Sequence, residues 1–198
     1  MKTGVDIDIV KEHYAGLTDS ELIHIATTDA AGMTEEAQVV IKEEIWKRKL
    51  DVNLMKAVAV QNHEATADEV DQYCEMIATL PCPRCADTRV RLNGTQTMEV
   101  VSVIIVTYTE KKLKVACPRC LNKLTDAALS KSALLGWWGI PWGIARTIGA
   151  IVHNNRIRKW HDFEIPNDCL RAFVIANIGQ IEMHRNNKEQ LHRIIAAK

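Results

Sequence analysis

At 198 residues, 47% of them apolar, the chain has enough hydrophobic content to bury a real core as one domain or two small ones. Its 25 basic residues balance 25 acidic ones; nucleic-acid binders ordinarily carry a basic footprint, so the balance argues against a broadly cationic surface and leaves room only for a local patch. Met1-Lys2-Thr3-Gly4 leads into Asp6 and Asp8 rather than an apolar run, so no signal peptide is visible, and six cysteines with four in metal-type pairs fit a reducing cytoplasm.

The first 80 residues read as helical. Thr18-Asp19-Ser20-Glu21 is a capping box followed by Leu22, Ile25 and Ala26 at helical spacing. Thr34 caps a second helix with Ala37, Ile41 and Ile45 on one face; Glu43 with Lys47 and Glu44 with Arg48 read as a solvated opposite face. A third helix is expected around 53–63. Thr66-Ala67-Asp68-Glu69 repeats the capping box, and Val70, Tyr73, Cys74, Ile77 and Leu80 make an apolar stripe that stops at Pro81. His24 and His63 have no second ligand at metal spacing and read as ordinary helix residues.

Next comes Cys82-Pro83-Arg84-Cys85, then 31 residues without cysteine, then Cys117-Pro118-Arg119-Cys120. Proline after the first cysteine of each pair fixes φ for a tight turn, so the two thiolates of a pair converge on one point. Two such knuckles supply four soft ligands, and Cys82, Cys85, Cys117 and Cys120 therefore read as a closed structural Zn²⁺ site. Four thiolates on a divalent ion leave a net charge near minus two, which Arg84 and Arg119 offset. A redox pair and disulfides are the competing readings. Cys74 and Cys169 stand at apolar helical positions and read as small buried residues.

Between the knuckles the pattern predicts a strand over 88–92, a two-residue turn at Asn93-Gly94, a long strand over 96–109, a turn at Glu110-Lys111 and a third strand over 112–116. Counting from the turns sets Cys85 level with Ser102 and Cys117 level with Ile104, both beside the middle of the long strand. The run Val100 to Val106 is apolar on both faces and implies a sheet covered on both sides.

Residues 121–131 are polar to mixed. Residues 132–153 then hold Trp137, Trp138 and Trp142 among Gly136, Gly139, Gly143 and Gly149, with Pro141 in the middle. Arg146, the central tryptophans and the Gly/Pro interruptions argue against a simple spanning helix. Three readings stay open. The glycines suit close packing against the chain's own ribbon. The tryptophans suit a membrane interface, with Arg156, Arg158 and Lys159 beside it. A partner protein's groove is the third. In the last two, Trp137, Trp138, Ile140, Trp142 and Ile144 make the contact. Asn167 or Asp168 starts a helix through Leu170, Phe173 and Val174, with a break or kink at Gly179 before Leu191, Ile194 and Ile195.

The Cys-Pro-x-Cys knuckles followed by Gly-Trp-Trp-Gly-Ile-Pro-Trp-Gly resemble a loose group of largely uncharacterised bacterial zinc-ribbon proteins, some of them membrane-associated; Leu17 to Leu50 is similar to a helical module that recurs in such proteins. The resemblance spans residues 17–50 and 82–155 and implies zinc at the four cysteines and no known activity. Ala86 and Leu121 stand where such knuckles commonly have glycine. Cys117 to Leu124 also resembles the second knuckle of His-Asn-His nucleases, whose catalytic metal needs a histidine between the knuckles; residues 86–116 contain none.

The sequence thus leads to an α+β protein in four stretches: a helical region over 1–80, a zinc ribbon over 81–126, a Trp/Gly-rich apolar segment over 127–155 and a helical tail over 156–198. No catalytic constellation is visible. The expected role is a non-enzymatic interaction or scaffold module in the bacterial cytoplasm or peripheral at the inner membrane, presenting the Trp/Gly segment to a membrane surface or protein partner. The alternative is a nucleic-acid-binding ribbon using Arg84, Arg89, Arg91 and Arg119.

Overall fold

Local sequence signals start the helices where they are written. The Thr18 hydroxyl accepts from the Glu21 amide while the Glu21 carboxylate accepts from the Thr18 amide, and Thr66 and Glu69 repeat this reciprocal pair. The structure, a computed structural model, describes residues 7–103, 106–138 and 142–197. In order these form α1 (Ile7–Gly16), α2 (Asp19–His24), a π-helical turn (Ile25–Asp29), α3 (Glu35–Lys47), α4 (Asn53–Asn62), α5 (Ala67–Ala78), β1 (Asn93–Val103), β2 (Val106–Ala116), α6 (Pro118–Leu135), α7 (Trp142–Arg158), α8 (Asp168–Ala176), α9 (Ile178–Met183) and α10 (Lys188–Ala196). The class is α+β, mostly helical with a small antiparallel sheet.

The chain divides into two units. The first runs through Val70 and takes in Ile175–Leu191. Its core is apolar: Leu22, Ile41, Ile45, Leu54 and Val58 are fully buried, with Tyr14 and Val40 beside them. Glu44 and Arg48 are not the solvated pair their spacing suggests; their side chains are only 12% and 18% exposed. The Arg48 guanidinium donates to the Glu44 carboxylate and to the carbonyls of Tyr14, Ala15 and Leu17. It closes the C-terminal end of α1, whose last carbonyls have no partner within the helix.

The second unit comprises Asp71–Val174 and His192–Lys198. Here the strands differ from expectation. Instead of three strands, the described residues hold one hairpin, paired in register from Asn93 opposite Ala116 to Val103 opposite Val106. Glu110 and Lys111 are not a turn but lie mid-strand, opposite Glu99 and Met98.

Asn93-Gly94 is not a turn either, and its composition has a packing cause. Asn93 is buried, donates to the carbonyls of Phe163 and Ile165, and accepts from the amides of Gly94 and Asn167. A Cβ at Gly94 would lie 2.3 Å from the Leu170 nitrogen, so only glycine lets the start of α8 come this close. The run Val100 to Val106 is also less covered than its apolarity implies. Val100 and Ser102 are buried and Val106 is exposed, while Ile104 and Ile105 lie outside the described residues.

The free edge of β1 is closed by side chains from two helices. Asn154 of α7 accepts from the Met98 amide at 2.9 Å and donates to the Met98 carbonyl at 2.7 Å, doing for β1 what a third strand would do. Ser132 of α6 accepts from the Val100 amide, and His153 meets the Gln96 carbonyl. Covering an edge in this way removes a template for unwanted strand pairing.

Candidate metal centre

The hairpin register decides where the knuckles meet. Because Asn93 pairs with Ala116, the chain before β1 and the chain after β2 leave the sheet side by side at its open end. The knuckles therefore meet there, not beside the middle of a long strand. The Leu92 amide donates to the Ala78 carbonyl, fixing the segment that carries the first knuckle between α5 and β1.

Each knuckle has its own local cause. In the first, the Ala86 amide donates to the Cys82 carbonyl at 2.8 Å and the Cys82 amide to the Asp87 carbonyl at 3.0 Å, closing a tight loop. Ala86 has φ of 56°, the left-handed region that favours glycine, which accounts for the residue type common at this place in similar knuckles. In the second, Cys117 is the N-cap of α6, Pro118 occupies the first turn, and the Cys120 and Leu121 amides both donate to the Cys117 carbonyl. Leu121 needs no glycine because it is an ordinary helical residue buried in the core.

The four sulfurs of Cys82, Cys85, Cys117 and Cys120 all lie within 4.8 Å of one another, with Cys85 and Cys117 3.6 Å apart. A tetrahedron with metal–sulfur bonds of about 2.3 Å has edges of about 3.8 Å, so the spacing fits one ion held by four thiolates. It does not fit a disulfide, whose sulfurs stand about 2.05 Å apart. Among the described residues this is the one cluster of side chains able to hold a metal ion.

The surroundings suit negative sulfur. The Cys117 amide points at the Cys82 sulfur at 3.4 Å, and Cys117 and Cys120 sit at the positive end of the α6 dipole. The Asp87 backbone N–H brings the Cys85 thiol down to about 7. Burial pushes Cys120 up to about 12 and raises Cys117. Cys85 thus gives up its proton before Cys117 and Cys120, whose protons a divalent cation would have to displace.

The arginines proposed for nucleic acid are distributed differently. Arg84 and Arg119 are exposed, one in each knuckle, and Arg119 helps lower the Asp87 carboxyl behind Arg89's hydrogen bonds to it. Arg89 is paired with Asp87, and Arg91 grips both Glu75 carboxylate oxygens. Two of the four cations are already matched.

Sequence reasoning missed a polar network behind the knuckles. His161 is fully buried, with Nδ1 2.8 Å from Asn122 Oδ1 and Nε2 2.9 Å from Thr95 Oγ1. Both ring nitrogens are engaged, so this histidine ties α6 to β1 instead of facing the sulfurs, and burial lowers its pKa to about 4. Cys74 is buried and pushed up to about 12 by desolvation, in keeping with a packing role.

The Trp/Gly segment sorts by residue type. A Cβ at Gly136 would meet the Thr147 hydroxyl at 2.0 Å, and one at Gly143 would meet the Gly136 carbonyl at 2.8 Å, so the ends of α6 and α7 touch through their glycines. The large residues turn outward: Trp137, Trp138, Trp142 and Ile144 are 40%, 68%, 69% and 42% exposed. Ile140 lies outside the described residues. No helix among the described residues is long and apolar enough to cross a membrane. No family model, curated protein or solved structure matches the chain.

Proposed function

We propose that the protein is a zinc-ordered interaction module without chemistry of its own. Zn²⁺ at Cys82, Cys85, Cys117 and Cys120 fixes one end of the hairpin, and the far end of the same unit offers Trp137, Trp138, Trp142 and Ile144 to a membrane surface or a protein partner. The observation that carries this reading is the convergence of the four sulfurs at the base of the hairpin on which α6 and α7 are mounted. A four-sulfur site keeps no position for a reacting water, which suits a structural ion.

The open end and the Val103–Val106 end of the hairpin are ten residue steps apart, roughly 33 Å at the rise of an extended strand. The ion therefore acts through rigidity and touches nothing at the presenting surface. Metal analysis of the purified full chain, with and without Cys82→Ser and Cys117→Ser, tests the reading. One zinc per chain is expected, lost in both variants together with the near-ultraviolet dichroism of the tryptophans. A chain that holds no zinc and keeps that signal in both variants would refute it.

A further inference from the structure

α7 is built inside out. Its buried positions are Gly143, Thr147, Ala150 and Asn154, small or polar, whereas Ile144, Ile148 and Val152 repeat every fourth residue on the exposed side. The space it packs against is polar as well. Ser102 donates to the Gly136 carbonyl and meets the Thr107 hydroxyl, Ser132 and Asn154 hold the β1 edge, and the Arg146 guanidinium donates to the Thr107 carbonyl.

A surface helix in water ordinarily carries its apolar residues inward, and a contiguous apolar side turned outward marks a surface built to meet something apolar. The exposed indoles are prepared for this. Trp137 and Trp138 donate their N–H groups to the Ala133 and Leu134 carbonyls, so their polar handles and two terminal carbonyls of α6 are satisfied without water.

Charge chooses among the occupants. From residue 127 to 161 the chain has five basic residues and no acidic one. Arg158 is paired with Asp126 and Lys131 with Glu99, while Arg146, Arg156 and Lys159 lie exposed along α7 and just beyond it. At the basic end, Arg156, Trp160 and Phe163 line a cavity of about 420 Å³. A second copy of the chain would bring like charges together across a two-fold interface. An anionic leaflet supplies the apolar medium and the countercharge at once.

We infer that the exposed side of α7, with Trp142 at its N-terminal end and Trp138 just past the end of α6, lies in the interface of an anionic lipid leaflet, with Arg156 and Lys159 against lipid phosphates. The inference rests on the proposed role of this surface and names its partner. α7 spans about 25 Å at helical rise and its apolar side reaches the boundary of headgroup and acyl chain, as an in-plane helix does.

The test is flotation of the zinc-analysed full chain with phosphatidylcholine vesicles, with and without phosphatidylglycerol, while following tryptophan emission. Binding and a blue shift are expected with phosphatidylglycerol and should weaken in high salt. Ile148→Asp, at an exposed position, should lower partitioning about tenfold or more with its dichroism unchanged. Arg156→Gln and Lys159→Gln should each lower it about fivefold. Three results would overturn the inference: no binding to anionic vesicles, binding indifferent to Ile148→Asp, or a blue shift from self-association without lipid. A chain that floats but holds no zinc would instead sink the metal reading and leave the lipid one standing.

Discussion

The helical unit and the hairpin layer solve the burial problem in opposite ways. Around Ile41, Ile45 and Leu54, α1 to α4 bury aliphatic side chains and leave most charged ones outside, the Glu44–Arg48 pair apart. Between β1, α6 and α7 Val100, Leu121 and Ala128 are buried, but so are Thr97, Ser102, Thr125, Ser132, Thr147 and Asn154, while Trp142, Ile144, Ile148 and Val152 are outside. The first arrangement draws its stability from hydrophobic burial. The second adds hydrogen bonds of modest net worth from Ser102, Ser132 and Asn154 and leaves the Thr125 and Thr147 hydroxyls buried without a partner, which makes an ion at the base of the hairpin a natural complement.

A paired substitution should break this contrast most sharply. Ile41→Ala in the helical core is expected to cost about 2 to 5 kcal/mol, and Ile148→Ser on α7 under about 0.5 kcal/mol, by denaturant unfolding in lipid-free buffer. Comparable losses at both positions would mean that α7 is not inverted. Asn154→Ala comes next. It strips the Met98 amide and carbonyl of their partner and should cost about 2 to 4 kcal/mol. If the variant is as stable as the parent, the polar layer is not what holds α7 to the sheet.

The buried histidine adds a pH test. His161 is held neutral by burial, its pKa lowered from 6.5 to about 4. The unfolded chain therefore takes up a proton that the folded one refuses, and stability falls as pH drops from about 6.5 toward 4, by roughly 3 kcal/mol at the lower end. Thiol protonation at the metal centre pushes the same way, so the quantity to compare is the slope of the parent against that of His161→Gln. The variant should be flatter in this window; equal slopes would remove His161 from the account. The smallest effect concerns Ala86. Glycine relieves the left-handed backbone but gives the unfolded chain more freedom to lose on folding, so Ala86→Gly should be neutral or stabilising by up to about 1 kcal/mol, and clear destabilisation would contradict the knuckle geometry.

Much of the helical unit was legible because its signals are local. Capping boxes at Thr18 and Thr66 and the spacing of Ile41 and Ile45 depend on neighbours within one or two turns. The sulfur cluster was legible because ligand spacing states its own chemistry. The strands were not, since Asn93-Gly94 carries the residues of a tight turn for another reason, the approach of α8. Nor was Glu44–Arg48, whose spacing suggests a solvated helix pair until the chain folds back to offer three carbonyls. The inversion of α7 was present as a pattern, small or polar residues at 143, 147, 150 and 154, but it was hidden behind the tryptophans.

The most direct measurement of the central claim is X-ray absorption at the zinc edge of the protein as purified. The account predicts a first shell of four sulfurs at about 2.3 Å, collapsing to mixed or lighter scatterers in Cys85→Ser. A shell of nitrogen and oxygen in the parent protein, or no zinc in a folded chain with free thiols, would contradict it.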